Sequence, residues 1–276
     1  MLTYPDIDPI AIAIGPLRVH WYGLMYLLGF AFAWGLGRWR ASRPGSGWNA
    51  DMVDDLIFYC VIGVIAGGRL GYMVFYGFDQ ILENPLNLLK VWEGGMSFHG
   101  GLLGVALAVA LFARRHGLHF FQAADFIAPL VPTGLLFGRI GNFINGELWG
   151  HRTDAPWGVQ LPCIQFPAQC ADQPASALLS PAVHASQLYE AALEGLVLFL
   201  ILWIFSSRPR PMMAVSGLFL LLYGLFRFLV EFVRTPDAHL GYLAFDWLTM
   251  GQILSLPMIL FGALFLGLAY RRRPAA

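Results

Sequence analysis

The chain has 276 residues, of which 58% are hydrophobic and only 12% are charged, and its mean hydropathy is +0.62. Soluble domains carry about 25% charged residues, so this composition excludes an ordinary soluble protein and predicts an all-α polytopic membrane protein. The 17 basic residues balance the 17 acidic ones, which excludes a broadly basic surface, and no nucleic-acid partner is expected. Residues 1–16 contain two aspartates but no basic residue, so they lack the basic start of a cleavable signal peptide and are expected to be retained.

Seven segments have the length of about 20 apolar residues that a helix needs to cross a bilayer. Three contain no Asp, Glu, Lys or Arg, and four are interrupted by Arg69, by Arg139, by Glu190 with Glu194, and by Arg227 with Glu231. In chain order the predicted spans are 19–37, 56–78, 94–113, 124–143, 186–205, 212–232 and 247–270. The whole chain, residues 1–276, is therefore expected to form a single transmembrane domain of seven helices.

The arginines predict the orientation of these spans. Ten of them follow the first, third, fifth and seventh spans, namely Arg38, Arg40, Arg43, Arg114, Arg115, Arg208, Arg210, Arg271, Arg272 and Arg273. Because connections rich in Lys and Arg stay in the cytoplasm, the N-terminus is expected outside and the C-terminus inside. A missed span would break this alternation.

The connection between the fourth and fifth predicted spans, residues 146–184, is the longest on the outer side. A loop of this length is long enough to form a small cap. It contains Cys163 and Cys170, which are expected to form a disulfide if the loop faces an oxidising compartment and to remain thiols otherwise. The cysteines and histidines show no metal-ligand spacing, so no structural zinc is expected.

Polar residues gather near the predicted outer ends of the spans. The first span opens on His20-Trp21-Tyr22-Gly23, whose aromatic rings also suit the membrane interface. The third opens on residues 94–101, in which four glycines surround Ser97 and His99. These glycines permit a close approach of backbone or ligand, or simply close packing between helices.

The stretch 138–150, Gly-Arg-Ile-Gly-Asn-Phe-Ile-Asn-Gly-Glu-Leu-Trp-Gly, ends the fourth span. An arginine at membrane depth costs roughly 2.5–3.5 kcal/mol on insertion scales, so such a residue usually has a polar partner or a function. On a continuing helix Arg139, Asn142 and Asn145 share one face, which suits an anionic group at the interface. The alternative is an arginine that snorkels from a glycine-rich helix end.

Arg227, Glu231 and Arg234 share one face of the sixth span, while His184, Gln187, Tyr189 and Glu190 crowd the start of the fifth. A structural ion pair explains the first group, but two arginines around one glutamate also leave positive charge for an anionic ligand. Guanidinium groups bind phosphate bidentately, and the abundant phosphate of a membrane is a lipid head group. These residues therefore predict a protein that handles phospholipid, with a histidine available as base.

The stretch 138–150 closely resembles the signature of the prolipoprotein diacylglyceryl transferases. The resemblance extends in the same order to residues 20–26, 94–101, 186–190 and 223–231, and it covers essentially the whole chain apart from residues 152–183. One departure is Ala185, which stands where the family is expected to have a proline before Ser-Gln-Leu-Tyr-Glu. This departure concerns the entry of the fifth span and leaves the chemistry untouched.

The resemblance implies a seven-span bacterial inner-membrane enzyme of lipoprotein biosynthesis, with its active site toward the periplasm and no metal or other cofactor. Such enzymes transfer the diacylglyceryl group of phosphatidylglycerol to the lipobox cysteine thiol of a prolipoprotein and release glycerol 1-phosphate. Phosphatidylglycerol, prolipoprotein signal peptides and membrane lipids are the expected partners. The expected catalytic residues are Tyr22, His99, Arg139, Arg227 and Glu231. The expected substrate-binding residues are Arg139, Asn142, Asn145, Glu147, Gly150, Arg227 and Arg234.

Two questions stay open at the level of sequence. His99 and Glu147 are alternative general bases for the thiol, whose ordinary pKa is about 8.5. The strongest alternative function is a phospholipid transporter or flippase, because intramembrane arginines also mark substrate pathways. Polar positions that cluster toward the outer ends of the spans favour the interfacial enzyme.

Overall fold

The structure, a computed structural model, describes residues 1–5, 7–15, 17–236 and 241–271, which are mainly helical. The α-helices are α1 (Trp21–Ala41), α2 (Ala50–Phe75), α3 (Phe78–Glu83), α4 (Phe98–Arg115), α5 (Phe120–Ile127), α6 (Val131–Ile144), α7 (Ser186–Phe205), α8 (Ala214–Val230) and α9 (Met250–Arg271). Within α7, the residues Ala191–Val197 form π-helix. Short 3-10 helices cover Pro85–Leu89, Val91–Glu93 and Pro167–Cys170.

The strands are short and few. They are β1 (Leu2–Thr3), β2 (Ile10–Ile14), β3 (Leu17–His20) and β4 (Val159–Gln160). β1 pairs with β4 in parallel, and β2 pairs with β3 as an antiparallel hairpin. The described chain is thus a helical protein with two small two-stranded sheets.

In the described part of the chain four helices, α2, α4, α7 and α9, are long and apolar enough to cross a membrane. The pair α5 and α6 adds a fifth span if the two helices are counted together. α1, whose last turn contains Arg38 and Arg40, overlaps the first predicted span, and the 17-residue α8 lies in the sixth. The multi-pass membrane protein predicted from composition is therefore confirmed, whereas the number seven and the orientation remain predictions. Arg272 and Arg273, which contributed to that orientation, lie outside the described residues.

Local polar groups explain where the helix boundaries differ from the predicted ones. α2 begins at Ala50 rather than at 56, because the Asn49 side chain accepts a hydrogen bond from the Met52 amide and caps the helix. α4 begins at Phe98 rather than at 94, because Ser97 caps the helix by accepting from the Gly100 amide.

The fourth predicted span, 124–143, is interrupted between α5 and α6.

The chain divides into two compact units. The first unit contains residues 1–33 and 128–276, and the second contains residues 34–127. In the second unit α2 and α4 pack backbone to backbone: a Cβ atom at Gly67 would lie 2.4 Å from the Gly100 carbonyl oxygen, and one at Gly104 would lie 2.0 Å from that of Gly63. Such contact through small residues is how helices associate where no hydrophobic driving force acts. For Gly100, the helix-packing interpretation is therefore confirmed.

In the first unit, α6 meets the π-helical part of α7 at a glycine. A Cβ atom at Gly195 would lie 2.7 Å from the Leu136 Cβ atom. α8 and α9 approach each other in the same way, since a Cβ atom at Gly262 would lie 2.3 Å from the Leu221 amide nitrogen. These close contacts bring the charged residues of α6, α7 and α8 within reach of one another.

The long connection 146–184 belongs to the first unit and is folded. Its small core is formed by Tyr4, Trp149, Val159, Leu161, Val183 and Ala185. The Tyr4 hydroxyl lies 2.9 Å from the carbonyl oxygens of Phe143 and Ile144, which ties this core to the end of α6. Cys163 and Cys170 are joined by a disulfide, the outcome predicted for an oxidising compartment.

Candidate functional site

A cluster of six charged side chains lies inside the first unit, and we call it the ion cluster. α6 supplies the first arginine, α7 supplies two glutamates, α8 supplies the second arginine, and the segment just after α8 supplies the rest. Its members are Arg139, Glu190, Glu194, Arg227, Glu231 and Arg234. The glutamate side chains are at most 4% exposed and those of the arginines 10–20%, so the cluster is largely withdrawn from water.

Glu190 is the centre of this cluster. Its Oε2 atom lies 3.1 Å from Arg139 Nε, and its Oε1 atom lies 3.1 Å from Arg234 Nη1. Arg227 Nη1 donates to the same Oε1 atom. A single carboxylate therefore holds three guanidinium groups together, two of them from different helices.

Glu231 holds Arg227 from the other side, as its four-residue spacing predicts. Arg227 Nη2 donates to Glu231 Oε1, and Arg234 Nε lies 3.7 Å from the same oxygen. The other oxygen, Oε2, accepts from the Thr249 hydroxyl at 2.5 Å. Glu231 also abuts Gly251, where a Cβ atom would lie 2.5 Å from the Glu231 Cδ atom. The start of α9 thus fixes the carboxylate that orients Arg227.

The net positive charge predicted for Arg227, Glu231 and Arg234 is compensated in the folded protein by carboxylates of another helix. α7 brings Glu190 and Glu194 to the arginines of α6 and α8, so three guanidinium groups face three carboxylates. The spacing of Arg227, Glu231 and Arg234 accounts only for neighbours on one helix, whereas the compensating charges come from another helix.

The end of α6 and the turn that follows it position the predicted polar residues. Asn142 Nδ2 donates to Glu147 Oε1 at 2.7 Å, and Asn145 Nδ2 reaches the same oxygen at 3.5 Å. The Glu147 amide donates to the Asn142 carbonyl oxygen at 3.1 Å. Asn142, Asn145 and Glu147 therefore form one hydrogen-bonded group, as their proximity in the sequence predicts.

The start of α7 supports this turn. The Gln187 side-chain amide donates to the Glu147 carbonyl oxygen, and the Ser186 hydroxyl donates to that of Leu148 at 2.6 Å. Leu148 has a φ of 66°, a conformation that is uncommon for a residue with a side chain. The hydrogen bonds from α7 thus hold a strained turn in place. These supporting roles were not predicted, because the two segments lie far apart in sequence.

Gly150 and Tyr22 also lie in the first unit. A Cβ atom at Gly150 would lie 2.2 Å from the Val233 carbonyl oxygen, so only glycine allows this approach of the backbone after α6 to the backbone after α8. The Tyr22 hydroxyl lies 3.1 Å from that of Tyr26 and beside the Asn142 and Glu147 side chains. Nearby in the 146–184 segment, partial burial and the neighbouring His151 lower the pKa of His184.

His99 belongs to the second unit, where it is the exposed second residue of α4. The loop before it is held by Arg69, whose guanidinium donates to the carbonyl oxygens of Leu88 (3.2 Å), Asn87 (2.6 Å) and Gly94. Arg69 is 4% exposed and is thus committed to backbone carbonyls. The structure therefore gives Arg69 a role in shaping the segment that leads to His99.

Two members of the ion cluster, Glu190 and Glu194, were not among the predicted site residues. Their signal in the sequence was two acidic residues four apart inside an apolar span, which is unusual enough to mark a functional position. In the part of the chain that the structure describes, no group of three His, Cys, Asp or Glu side chains is arranged to hold a metal ion. The guanidinium groups of the ion cluster can donate hydrogen bonds to the oxygens of an anion, although carboxylates balance their charge.

Comparisons with a family profile and with individual known proteins indicate the same family. The sequence profile described as prolipoprotein diacylglyceryl transferase matches residues 9–268. Three similar proteins, each named phosphatidylglycerol–prolipoprotein diacylglyceryl transferase, come from Oleidesulfovibrio alaskensis, Pseudomonas fluorescens and Xanthomonas campestris pv. campestris. They are 59%, 56% and 62% identical to this chain, over 100%, 100% and 99% of it and 98%, 98% and 95% of their own lengths.

Proposed function

This chain belongs to the prolipoprotein diacylglyceryl transferase family, and we propose that it is a phosphatidylglycerol–prolipoprotein diacylglyceryl transferase. It transfers the diacylglyceryl group of phosphatidylglycerol to the cysteine thiol of a prolipoprotein. The partners of the reaction are thus a phospholipid and a lipobox peptide, both presented by the membrane.

One observation in the site carries the proposal. Arg139 of α6 and Arg227 of α8 both contact Glu190, so two guanidinium groups from different helices meet at one point. Each keeps a partly exposed side chain, 20% for Arg139 and 16% for Arg227. Two converging guanidinium groups that are partly exposed among apolar helices suit the phosphodiester of a lipid head group.

The reaction joins sulfur to carbon and releases a phosphate monoester. The thiol loses its proton to a base, the thiolate attacks the glyceryl carbon, and the bond from that carbon to the phosphate oxygen breaks. The electron pair of the broken bond stays on the oxygen, so glycerol 1-phosphate leaves with more negative charge than the phosphodiester had. Arg139 and Arg227 are the groups that would stabilise this developing charge. Glu231 would act through Arg227 by holding its guanidinium.

For the base we favour His99 over Glu147. Histidine is the side chain that most often serves as a general base near neutral pH. One Glu147 oxygen is already occupied by the Asn142 amide at 2.7 Å, and the Asn145 amide reaches that oxygen at 3.5 Å. These contacts suit a carboxylate that positions neighbouring amides. Asn142, Asn145 and Glu147 would then orient the head group.

The remaining first-unit residues would shape the binding region. Gly150 keeps the backbone after α6 close to the backbone that carries Arg234. Arg234 completes the arginine side of the ion cluster through Glu190. Tyr22 would contribute a hydroxyl next to Asn142.

We place the protein in the bacterial inner membrane with seven spans, its N-terminus outside and its C-terminus in the cytoplasm. Residues 146–184 would then form a cap on the periplasmic side, and the active site would face the same side. The disulfide between Cys163 and Cys170 supports this side, since disulfides persist in the periplasm and are rare in the cytosol. The basic ends of α1 and α4 support a cytoplasmic location for the opposite side.

A mass spectrum of the product tests the function. The purified protein is incubated with phosphatidylglycerol vesicles and a peptide that contains a lipobox cysteine, and a Cys→Ser peptide serves as the control. We expect a diacylglyceryl adduct on the cysteine peptide alone. No adduct from folded protein that still binds the lipid would reject the transferase and favour a phospholipid transporter, which a lipid flux assay would then examine.

A further inference from the structure

Glu194 differs from the other two carboxylates of the ion cluster in its contacts. Both of its oxygens are buried and, among the described residues, accept no hydrogen bond. Its nearest charged atoms are Arg139 Nη2 at 3.8 Å and Arg227 Nη1 at 3.9 Å, whereas Glu190 lies 3.1 Å from two arginine nitrogens. Neutralising Glu194 would therefore cost the cluster fewer charged contacts and hydrogen bonds than neutralising either of its other two carboxylates.

When all three glutamates are ionised, the ion cluster has no net charge to offer an anion. Adding a phosphodiester would leave one uncompensated negative charge among side chains that are shielded from water. A buried charge without a partner is strongly disfavoured. The cluster can regain neutrality if one of its carboxylates takes up a proton.

We propose that Glu194 takes up a proton when the anionic head group of phosphatidylglycerol binds at Arg139 and Arg227. This inference rests on the proposed function, whose substrate supplies the anion. A proton from water adds to a carboxylate oxygen of Glu194, no other bond forms or breaks, and the proton returns to water when the anion leaves. Glu194 is a positioning residue in this scheme, since it acts through the two arginines.

Among the residues that the structure describes, the charged and titratable groups that face Glu194 do not take up a proton in its place. Arg139 faces it from α6, Tyr223 and Arg227 from α8, and Arg234 from the segment after α8, while Glu190 is its neighbour on α7. The arginines stay charged, and Tyr223 is neutral at physiological pH. Glu190 is held by three arginines, so its protonation would release more contacts than that of Glu194.

The test is the binding of radiolabelled phosphatidylglycerol to the detergent-solubilised full-length protein between pH 6 and pH 9. For wild type we expect the dissociation constant to rise about tenfold per pH unit over part of this range, because binding takes up one proton. Glu194→Gln carries a neutral amide and should show a dissociation constant that does not vary with pH. Glu83→Gln, the same change at an exposed position, should follow wild type.

A Glu194→Gln variant with the wild-type pH dependence would overturn the proposal, as would wild-type binding that is independent of pH. If the variant fails to fold, calorimetry of wild type in two buffers with different ionisation enthalpies replaces it. Uptake of about one proton per lipid supports the proposal, and no uptake overturns it. The adduct assay keeps the two proposals apart. Adduct formation with pH-independent binding rejects only the proton uptake, and proton-linked binding without an adduct rejects only the transferase.

Discussion

At the scale of single residues, the central feature is that Arg139 and Arg227 are held by shared carboxylates. Removing one partner from a buried ion pair leaves a charge without compensation, which costs about 3–5 kcal/mol. The arginines also differ from lysine in their planar fork, which contacts two oxygens at once. Arg139 uses Nε toward Glu190 and Nη2 toward Glu194, so its geometry as well as its charge is used.

Arg139→Lys is therefore expected to abolish most of the transferase activity. The substitution keeps the charge but removes the fork, and we expect kcat/KM to fall by about 10²–10³, the effect of losing one donor to developing charge. Adduct formation measured by mass spectrometry at several lipid concentrations gives this ratio. Arg152→Lys, at an exposed arginine paired with Asp172, is the matched control and should behave like wild type. Near-normal activity of Arg139→Lys would reduce Arg139 to a structural residue.

His99→Gln and Glu147→Gln together assign the base. We expect His99→Gln to lower kcat by about 10²–10⁴, the usual contribution of a general base, with lipid binding largely retained. Glu147→Gln should instead weaken lipid binding, because it disturbs the group formed with Asn142 and Asn145. His119→Gln, at another exposed histidine of the second unit, serves as the control. Rates of His99→Gln that match wild type from pH 6 to pH 9 would exclude His99 as the base.

The local part of this site could be predicted from the sequence, and the part formed across helices could not. The ion pair between Arg227 and Glu231 follows from four-residue spacing and is present. The group formed by Asn142, Asn145 and Glu147 follows from proximity along the chain. The pairing of Arg139 with Glu190 depends on the packing of α6 against α7, which no spacing in the sequence encodes.

At the scale of elements, glycines set how closely the helices approach. α2 and α4 touch through the backbones of Gly63, Gly67, Gly100 and Gly104, which brings the start of α4 and His99 close to α2. In α7 the π-helical segment Ala191–Val197 contains both Glu194 and the close contact of Gly195 with α6. π-Helical turns inside α-helices frequently occur at functional sites.

Gly104→Ala and Gly101→Ala test the packing of α2 and α4 with the same substitution. A Cβ atom at Gly104 would lie 2.0 Å from the Gly63 carbonyl oxygen, whereas at Gly101 the nearest atom would be the Val64 carbonyl oxygen at 3.7 Å. We expect Gly104→Ala to destabilise the protein by about 1–3 kcal/mol, because the helices must separate. Gly101→Ala should leave the thermal midpoint in detergent unchanged or slightly raised. Equal midpoints for the two variants would contradict the backbone contact.

The positions of the helices could be predicted from their apolar length, but their ends could not. Helices occur in all seven predicted segments, because each has enough apolar residues to span a membrane. α2 nevertheless extends back to Ala50 through residues as polar as Asp51, since the Asn49 cap compensates the first turn. The interruption between α5 and α6 was hidden by a hydropathy that continues through both helices.

At the scale of the whole molecule, the proposed orientation places the cytoplasmic ends at the arginine-rich connections. The long connection 146–184 lies between α6 and α7 and carries the disulfide, and in the proposed orientation it lies on the opposite side. Its length predicted a small cap, and a disulfide between Cys163 and Cys170 was one of two outcomes left open. Its small core around Tyr4 and Leu161 was not predictable, because Tyr4 joins it from near the N-terminus.

Reporter fusions in bacterial cells test the orientation. Alkaline phosphatase inserted after Asp154, in the 146–184 connection, should be active, since it folds only in the oxidising periplasm. Green fluorescent protein fused to the C-terminus should fluoresce, as expected for a cytoplasmic end. Alkaline phosphatase inserted after Gly45, in the connection between α1 and α2, should be inactive. Activity of this last fusion would contradict the proposed topology.

An experimental structure of the protein in a lipid nanodisc with phosphatidylglycerol would show directly where the head group binds. We expect the head-group phosphate within hydrogen-bond distance of the Arg139 and Arg227 guanidinium groups, with Glu190 still between the two arginines. A phosphate bound elsewhere, with the ion cluster closed and free of lipid, would contradict this expectation.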